Sequence, residues 1–253
     1  MSNRVPISKI DGVRLEPPTR GISRVVRENK ESLTDLSWDR FVRLQAAACY
    51  VEAHRGPSDR LLDVGGYDGA LALFLDDLEI HLLDPDTTGG LATAISDDDG
   101  SYRFVAAVDV LEHIEPEQRQ QALKEIARVS SKHVVLNYPC EASKAAQVLM
   151  LKLTDNSLIR QHVEWPLPDS NWVMAELEEL GFTCELTPHA NAGLWVGQYL
   201  VHNLMPEAGS ELNKYLIEHH ANESFNVPLY HLVTAVKKNI SSKGAKNRTS
   251  PGV

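Results

Sequence analysis

Four groups of residues could do chemistry. Asp63 stands at the end of the apolar run Leu61-Leu62, followed by Gly65, Gly66, Tyr67 and Gly69. Glycines there let backbone amides approach a ligand, because no Cβ stands in the way. Asp84 lies 21 residues after Asp63 and ends a second apolar run, Ile80–Leu83. Nucleotide-binding α/β folds use an acid at about that distance to accept hydrogen bonds from ribose hydroxyls. Asp109-Val110-Leu111-Glu112-His113 ends a third apolar run, and His162 stands in a polar stretch, Arg160 to Asp169, broken by Pro166 and Pro168. A histidine titrating near neutrality is a candidate general base. His113 comes first by its position at a strand end, and His162 second; against these stand a packing or loop-capping role for His113 and a structural or solvent-exposed one for His162.

These residues need elements to hold them. Arg60–Val64 reads as a buried strand, Gly65–Gly69 as a turn, and Ala70–Leu78 as a helix. Before them, Leu36, Phe41, Leu44, Ala48 and Val51 fall at helical spacing with Thr34 or Asp35 as cap, and Gly56-Pro57 ends that helix. The next strand is Ile80–Leu83, and a third is expected near Leu91–Ile95, before the acidic run Asp97–Asp99. Tyr102–Val108 and His133–Pro139 are strands around a helix opened by Pro116. Further on, Ala142–Leu153, Asn171–Leu180, Gly193–Met205 and Ser210–His219 have helical character, with strands at Phe182–Thr187 and Tyr230–Val236.

The glycine turn lacks the G-x-G-x-x-G of dinucleotide folds and the Gly-Lys-Ser/Thr of P-loops. Asp63, Gly65 and Gly69 instead match the acid-x-Gly-x-Gly-x-Gly motif of class I S-adenosylmethionine-dependent methyltransferases, with Tyr67 at the middle glycine. Asp109-Val110-Leu111-Glu112-His113 is similar to the segment ending the fourth strand in that family, although Arg103 replaces its usual acid at the strand start. The resemblance spans residues 60–139. It implies a doubly wound, mostly parallel seven-stranded sheet with helices on both faces. It also implies S-adenosylmethionine as cofactor, with Asp63 orienting the methionine ammonium and Gly65, Gly66, Tyr67 and Gly69 forming the cradle. Asp84 would hold the ribose and Asp109-Val110 would wall the sulfonium side. An acid of Asp97–Asp99 could meet the adenine; a solvated acidic turn is the other reading. The acceptor would be a small molecule or a glycan/lipid-type molecule, methylated most readily on oxygen. A methyltransferase-like binding or scaffold protein without turnover is the alternative.

Composition bounds this. At 253 residues and 43% hydrophobic, the chain suits one α/β domain with additions. The division expected is an irregular arm over 1–33, one domain over 34–238 and a basic tail over 239–253. Within the domain, 34–56 is a helix, 60–139 the cofactor half and 140–238 the acceptor half. A net charge of −10 disfavours nucleic acid as partner. Only the end is basic, with Lys237, Lys238, Lys243, Lys246 and Arg248 and no acid. Three scattered cysteines, Cys49, Cys140 and Cys184, suit a reducing compartment and make no zinc pattern, so no metal site is expected. With no long apolar run and no apolar leader, the chain reads as cytoplasmic and without a membrane span.

Overall fold

A computed structural model describes residues 10–28, 33, 35–224 and 227–238. Its centre is a mixed sheet of eight strands: β1 Val13–Leu15, β2 Ile22–Arg27, β3 Arg60–Val64, β4 Glu79–Leu83, β5 Tyr102–Val108, β6 Ser130–Pro139, β7 Phe182–Asn191 and β8 Pro228–Lys237. They lie in the order β1-β2-β4-β3-β5-β6-β8-β7. Strands β4, β3, β5 and β6 run parallel, with Asp63 level with Leu82 on one side and Ala106 on the other. The four remaining pairings are antiparallel. The expected seven-stranded, mostly parallel sheet is therefore corrected to eight strands with four parallel in the middle.

Two causes account for the difference. The Leu91–Ile95 segment forms no strand; Leu91 and Ala94 close a tight bridge on themselves, and Leu91 is exposed. The free edge of β4 is taken instead by β2, whose Ile22 and Val25 bury their side chains there. The arm expected to be irregular thus carries a β1–β2 hairpin from residue 13 to residue 27.

Seven α-helices complete the described fold: α1 Trp38–His54, α2 Arg119–Val129, α3 Lys144–Thr154, α4 Ser157–Glu164, α5 Ser170–Glu179, α6 Ala192–Leu204 and α7 Pro206–His220. Strand alternation separates two cores. Leu61, Phe104, Ala106 and Val108 face α1, α6 and α7, whereas Leu62, Val64, Val105 and Ala107 face α2 and α5. Each fully buried Leu or Val contributes roughly 1.5–3 kcal/mol. By the same alternation Asp63 points to the side of Leu61, toward α1.

Local starts and stops differ from sequence expectation in three places. The start of α1 is capped neither by Asp35 nor by its own Ser37 side chain; Asn213 of α7 accepts from Trp38 N and donates to Leu36 O at 2.6 Å. Thr34, the other expected cap, lies outside the described residues, as does the basic tail beyond residue 238. The expected helix Ala70–Leu78 shortens to a 3-10 turn, Ala70–Phe74, because only one turn fits before β4 must pair beside β3. The polar stretch from Arg160 is helical as far as Glu164, since Asn156 caps Leu158 N at 2.8 Å and Ile159 N at 3.4 Å. Among the described residues no helix is long and apolar enough to cross a membrane.

Candidate active site at the carboxyl edge of the parallel strands

Because β4, β3 and β5 are parallel, their carboxyl ends lie side by side, where ligands bind in open α/β sheets. Asp84 and Asp109 directly follow β4 and β5, and Asp63 is the last residue but one of β3. The turn after β3 meets the segment after β5 directly. Gly65 has φ +74°, its N–H donates to Leu83 O at 2.7 Å, and a Cβ on it would lie 2.5 Å from Val110 Cγ2. At Gly66 a Cβ would lie 2.0 Å from Asp63 Oδ2. Both positions exclude a side chain, so backbone and carboxylate are brought together at the turn.

Asp63 is 1% exposed, and neither of its oxygens has a hydrogen-bond donor. Burial, with Asp68 and Asp84 nearby, pushes its carboxyl up to about 7 against the opposing pull of Arg40. A buried acid lacking any donor is costly and suits a cationic ligand. Asp84 spends Oδ1 on its own turn, accepting from Asp86 N at 2.9 Å and Thr87 N at 3.0 Å. Thr88 Oγ1 in that turn donates to Gly21 O at 2.6 Å, so the hairpin at the chain start steadies the Asp84 turn.

Tyr67 holds φ 53°, the left-handed conformation a glycine would take. The backbone course of the turn is therefore kept at a cost of about 1 kcal/mol. Tyr67→Gly relieves that strain but loosens the unfolded chain by a similar amount. Its midpoint of thermal unfolding is expected within about 4 °C of the parent; a much larger drop would mean that the ring is a packing element.

Two arginines of α1 went unnoticed in the sequence. Arg40 pairs with buried Asp68, whose Oδ2 also accepts from Ile10 N at 3.0 Å. Arg43 pairs with Asp109 at 3.0 Å, with Asp39 at 2.7 Å, and donates to Tyr230 Oη at 3.0 Å. Their i, i+3 spacing, which puts two arginines on one side of α1, was the available signal. Helix α1 thus lies over the cleft and ties both of its walls. Asp109, at φ 58°, donates its N–H to Asn137 O, and burial raises its carboxyl against the pull of Arg43 and His113.

His113 and His162 are 49 residues apart, yet their Nε2 atoms lie 3.3 Å apart, because α4 packs on the 3-10 turn Leu111–His113. Gln161 Oε1 lies 2.7 Å from His113 Nδ1, and Gln147 Oε1 lies 3.2 Å from His162 Nδ1. Burial, with His113 and Arg43 adding, holds His162 well below the ordinary imidazole range. Glu112 is 1% exposed with no donor on either oxygen, and burial beside Asp109 drives its carboxyl well above the ordinary range.

The acidic run does not join this site. Asp97 accepts from Tyr102 Oη at 2.5 Å and Asp99 pairs with Arg128 at 2.8 Å, both beside the opening residue of β5, at the opposite end of the strand from Asp109. Two cavities also lie elsewhere. One of about 460 Å³ sits between β2 and the 3-10 turn at Ala72, and one of about 220 Å³ between α1 and His189. Neither is lined by the glycine turn or by Asp109–His113.

No family model matches the sequence, and no curated protein matches it either. Solved structures do. A putative sarcosine dimethylglycine methyltransferase from Galdieria sulphuraria superposes with a TM-score of 0.51 at 14% identity, over 78% of this chain and 84% of that one. A possible histamine N-methyltransferase from Thermotoga maritima, described as SAM-dependent, gives 0.50 at 13% identity, over 81% and 92%. The chain has the class I methyltransferase fold. In this methyltransferase fold the glycine turn, Asp84 and Asp109-Val110 share one edge, while the two strands of the N-terminal hairpin are additions to the expected sheet and the strand expected at Leu91–Ile95 is missing from it.

Proposed function

We propose that the protein is an S-adenosylmethionine-dependent methyltransferase acting on a small-molecule or glycan/lipid-type acceptor, on oxygen. The observation that carries this reading is Asp63: a buried carboxyl without a donor, pressed against Gly66 at the carboxyl edge of a methyltransferase sheet. A primary ammonium, such as that of the methionine end, supplies what Asp63 lacks, through the turn or a water. Asp84 keeps Oδ2 for a ribose hydroxyl, since its turn uses Oδ1. Val110, packed on Gly65, walls the donor side.

S-adenosylmethionine brings a methyl on a sulfonium, an already activated leaving group. The chain has chiefly to align the acceptor, and α1 with its two arginines closes over that space. A hydroxyl acceptor gains nucleophilicity as its proton is drawn away, and His162, held neutral by burial, or His113 beside it can accept that proton.

Calorimetry or thermal shift with S-adenosylmethionine, S-adenosylhomocysteine and NAD tests the reading. At about 100 times its dissociation constant a ligand stabilises by roughly 2.7 kcal/mol. Both adenosyl-sulfur compounds should do so, NAD should not, and Asp84→Ala should weaken the response. No response to either adenosyl compound would sink the proposal. A second reading, a binding protein without turnover, draws on Tyr67 at the motif's middle glycine; it expects the same ligand response with no product from any acceptor.

A further inference from the structure

We propose that Glu112, His113 and His162 form a binding site for one divalent transition-metal cation, Zn²⁺ being the natural choice, at the acceptor side of the cleft. Their ligand atoms lie within 4.8 Å of one another. The two Nε2 atoms are 3.3 Å apart. Bonds of about 2.05 Å in a tetrahedral centre set neighbouring donor atoms about 3.3 Å apart. The other separations lie within 4.8 Å, so a small inward rotation of the Glu112 carboxylate completes the set.

The side chains around the three ligands are disposed as they would be about a cation. Each imidazole has its Nδ1 beside a glutamine oxygen, Gln161 Oε1 for His113 and Gln147 Oε1 for His162. An amide oxygen only accepts, so both Nδ1 atoms carry hydrogen and both Nε2 atoms present lone pairs. Those lone pairs face each other. On the third side stands Glu112, with two buried oxygens that have no donor, and Asp109 Oδ1 is buried without a donor beside it. Asp109 Oδ2 is engaged by Arg43, and the Nε and Nη1 of Arg119 are spent on Ile114 O and Pro166 O. Two imidazole nitrogens and a carboxylate converge on one point, and although the Arg43 and Arg119 guanidiniums act on Glu112, neither gives its oxygens a hydrogen bond. Imidazole and carboxylate together select transition metals over Mg²⁺ or Ca²⁺.

Three protein ligands leave a tetrahedral ion one open position, which an acceptor oxygen could take; with the ion bound, its Lewis acidity would acidify that oxygen in place of the two imidazoles acting as base. That last role rests on the methyl-transfer reading; the metal site does not.

The purified full chain, stripped with a chelator and dialysed, is titrated with Zn²⁺ and with Co²⁺ by calorimetry and absorption spectroscopy. One cation per chain is expected, with visible Co²⁺ bands. His113→Ala and His162→Ala should each weaken binding by about 100-fold or more, while His219→Ala on exposed α7 leaves it unchanged. Because buried substitutions can unfold the chain, pulsed electron paramagnetic resonance of the Cu²⁺-loaded parent gives an independent count, expected at two imidazoles. Binding that survives both histidine substitutions in folded protein, fewer than two coordinated imidazoles, or no binding at about 100 μM cation would overturn the site. An S-adenosylhomocysteine titration on the same stripped sample reads the methyl-donor proposal separately, so either can fail alone.

Discussion

Replacing Asp63 by asparagine is expected to stabilise the ligand-free protein at pH 8 and, at the same pH, to weaken S-adenosylmethionine binding. The folded-state value of about 7 lies above the ordinary carboxylate value of 3.8. The folded state therefore holds the proton more tightly than the unfolded chain. Its contribution to stability is fully present below about pH 4 and is lost as pH rises through 7. A shift of this size corresponds to about 4 kcal/mol, as an upper bound. Asp63→Asn stays neutral and should lose that slope, so the two proteins converge below about pH 4, draw apart between about pH 4 and 7, and keep a constant gap above it. Ligand binding runs the other way, because an ammonium wants the ionised carboxylate. Affinity of the parent should rise up to about tenfold per pH unit below 7 and level off above it, while the variant stays flat. Denaturant titrations and calorimetry from pH 5 to 8 measure both. Parallel stability curves for the two proteins would show that Asp63 is not the buried acid described.

Gly66→Ala is expected to abolish cofactor binding with a moderate loss of stability. Its Cβ would meet Asp63 Oδ2 at 2.0 Å, Cγ at 2.4 Å and Oδ1 at 2.8 Å. That carboxyl sits on a short, buried side chain whose strand is paired on both sides, so it has nowhere to retreat. Overpacking of this kind costs about 1–3 kcal/mol, or a fall of roughly 2–12 °C in a domain of this size. The larger effect falls on the ligand, because relief requires the turn to move out into the space the methionine end would use; a loss of about 100-fold or more is expected. Gly197→Ala in α6 is the comparison, since no atom lies within 4 Å of its Cβ position, and alanine there should be neutral or stabilising by up to about 1 kcal/mol. Wild-type S-adenosylhomocysteine affinity in Gly66→Ala would refute the placement of the donor at this turn.

Both expectations concern a turn that could be read directly from the chain. The run Leu61-Leu62-Asp63-Val64-Gly65-Gly66 contains a strand, an acid and glycines in contiguous order, and contiguous order survives folding. The same holds for the strand ends at Asp84 and Asp109, because parallel strands of similar length bring their carboxyl ends to one edge. Local pattern also located most helices of the second half to within a few residues, where Asp169 caps α5 and Asn191 caps α6.

What the chain alone decided, then, were the elements and the acids at their ends, since periodicity, turns and caps act over a few residues. Three things needed the tertiary structure. Whether β2 or the Leu91–Ile95 segment filled the edge of β4 depended on competition between distant segments for one row of hydrogen bonds. The covering of the cleft by Arg40 and Arg43 depended on where α1 docked. The meeting of His113 with His162 depended on α4 packing against the turn after β5, a contact spanning 49 residues. Such contacts are made by the sheet and its two cores, and no local pattern encodes them.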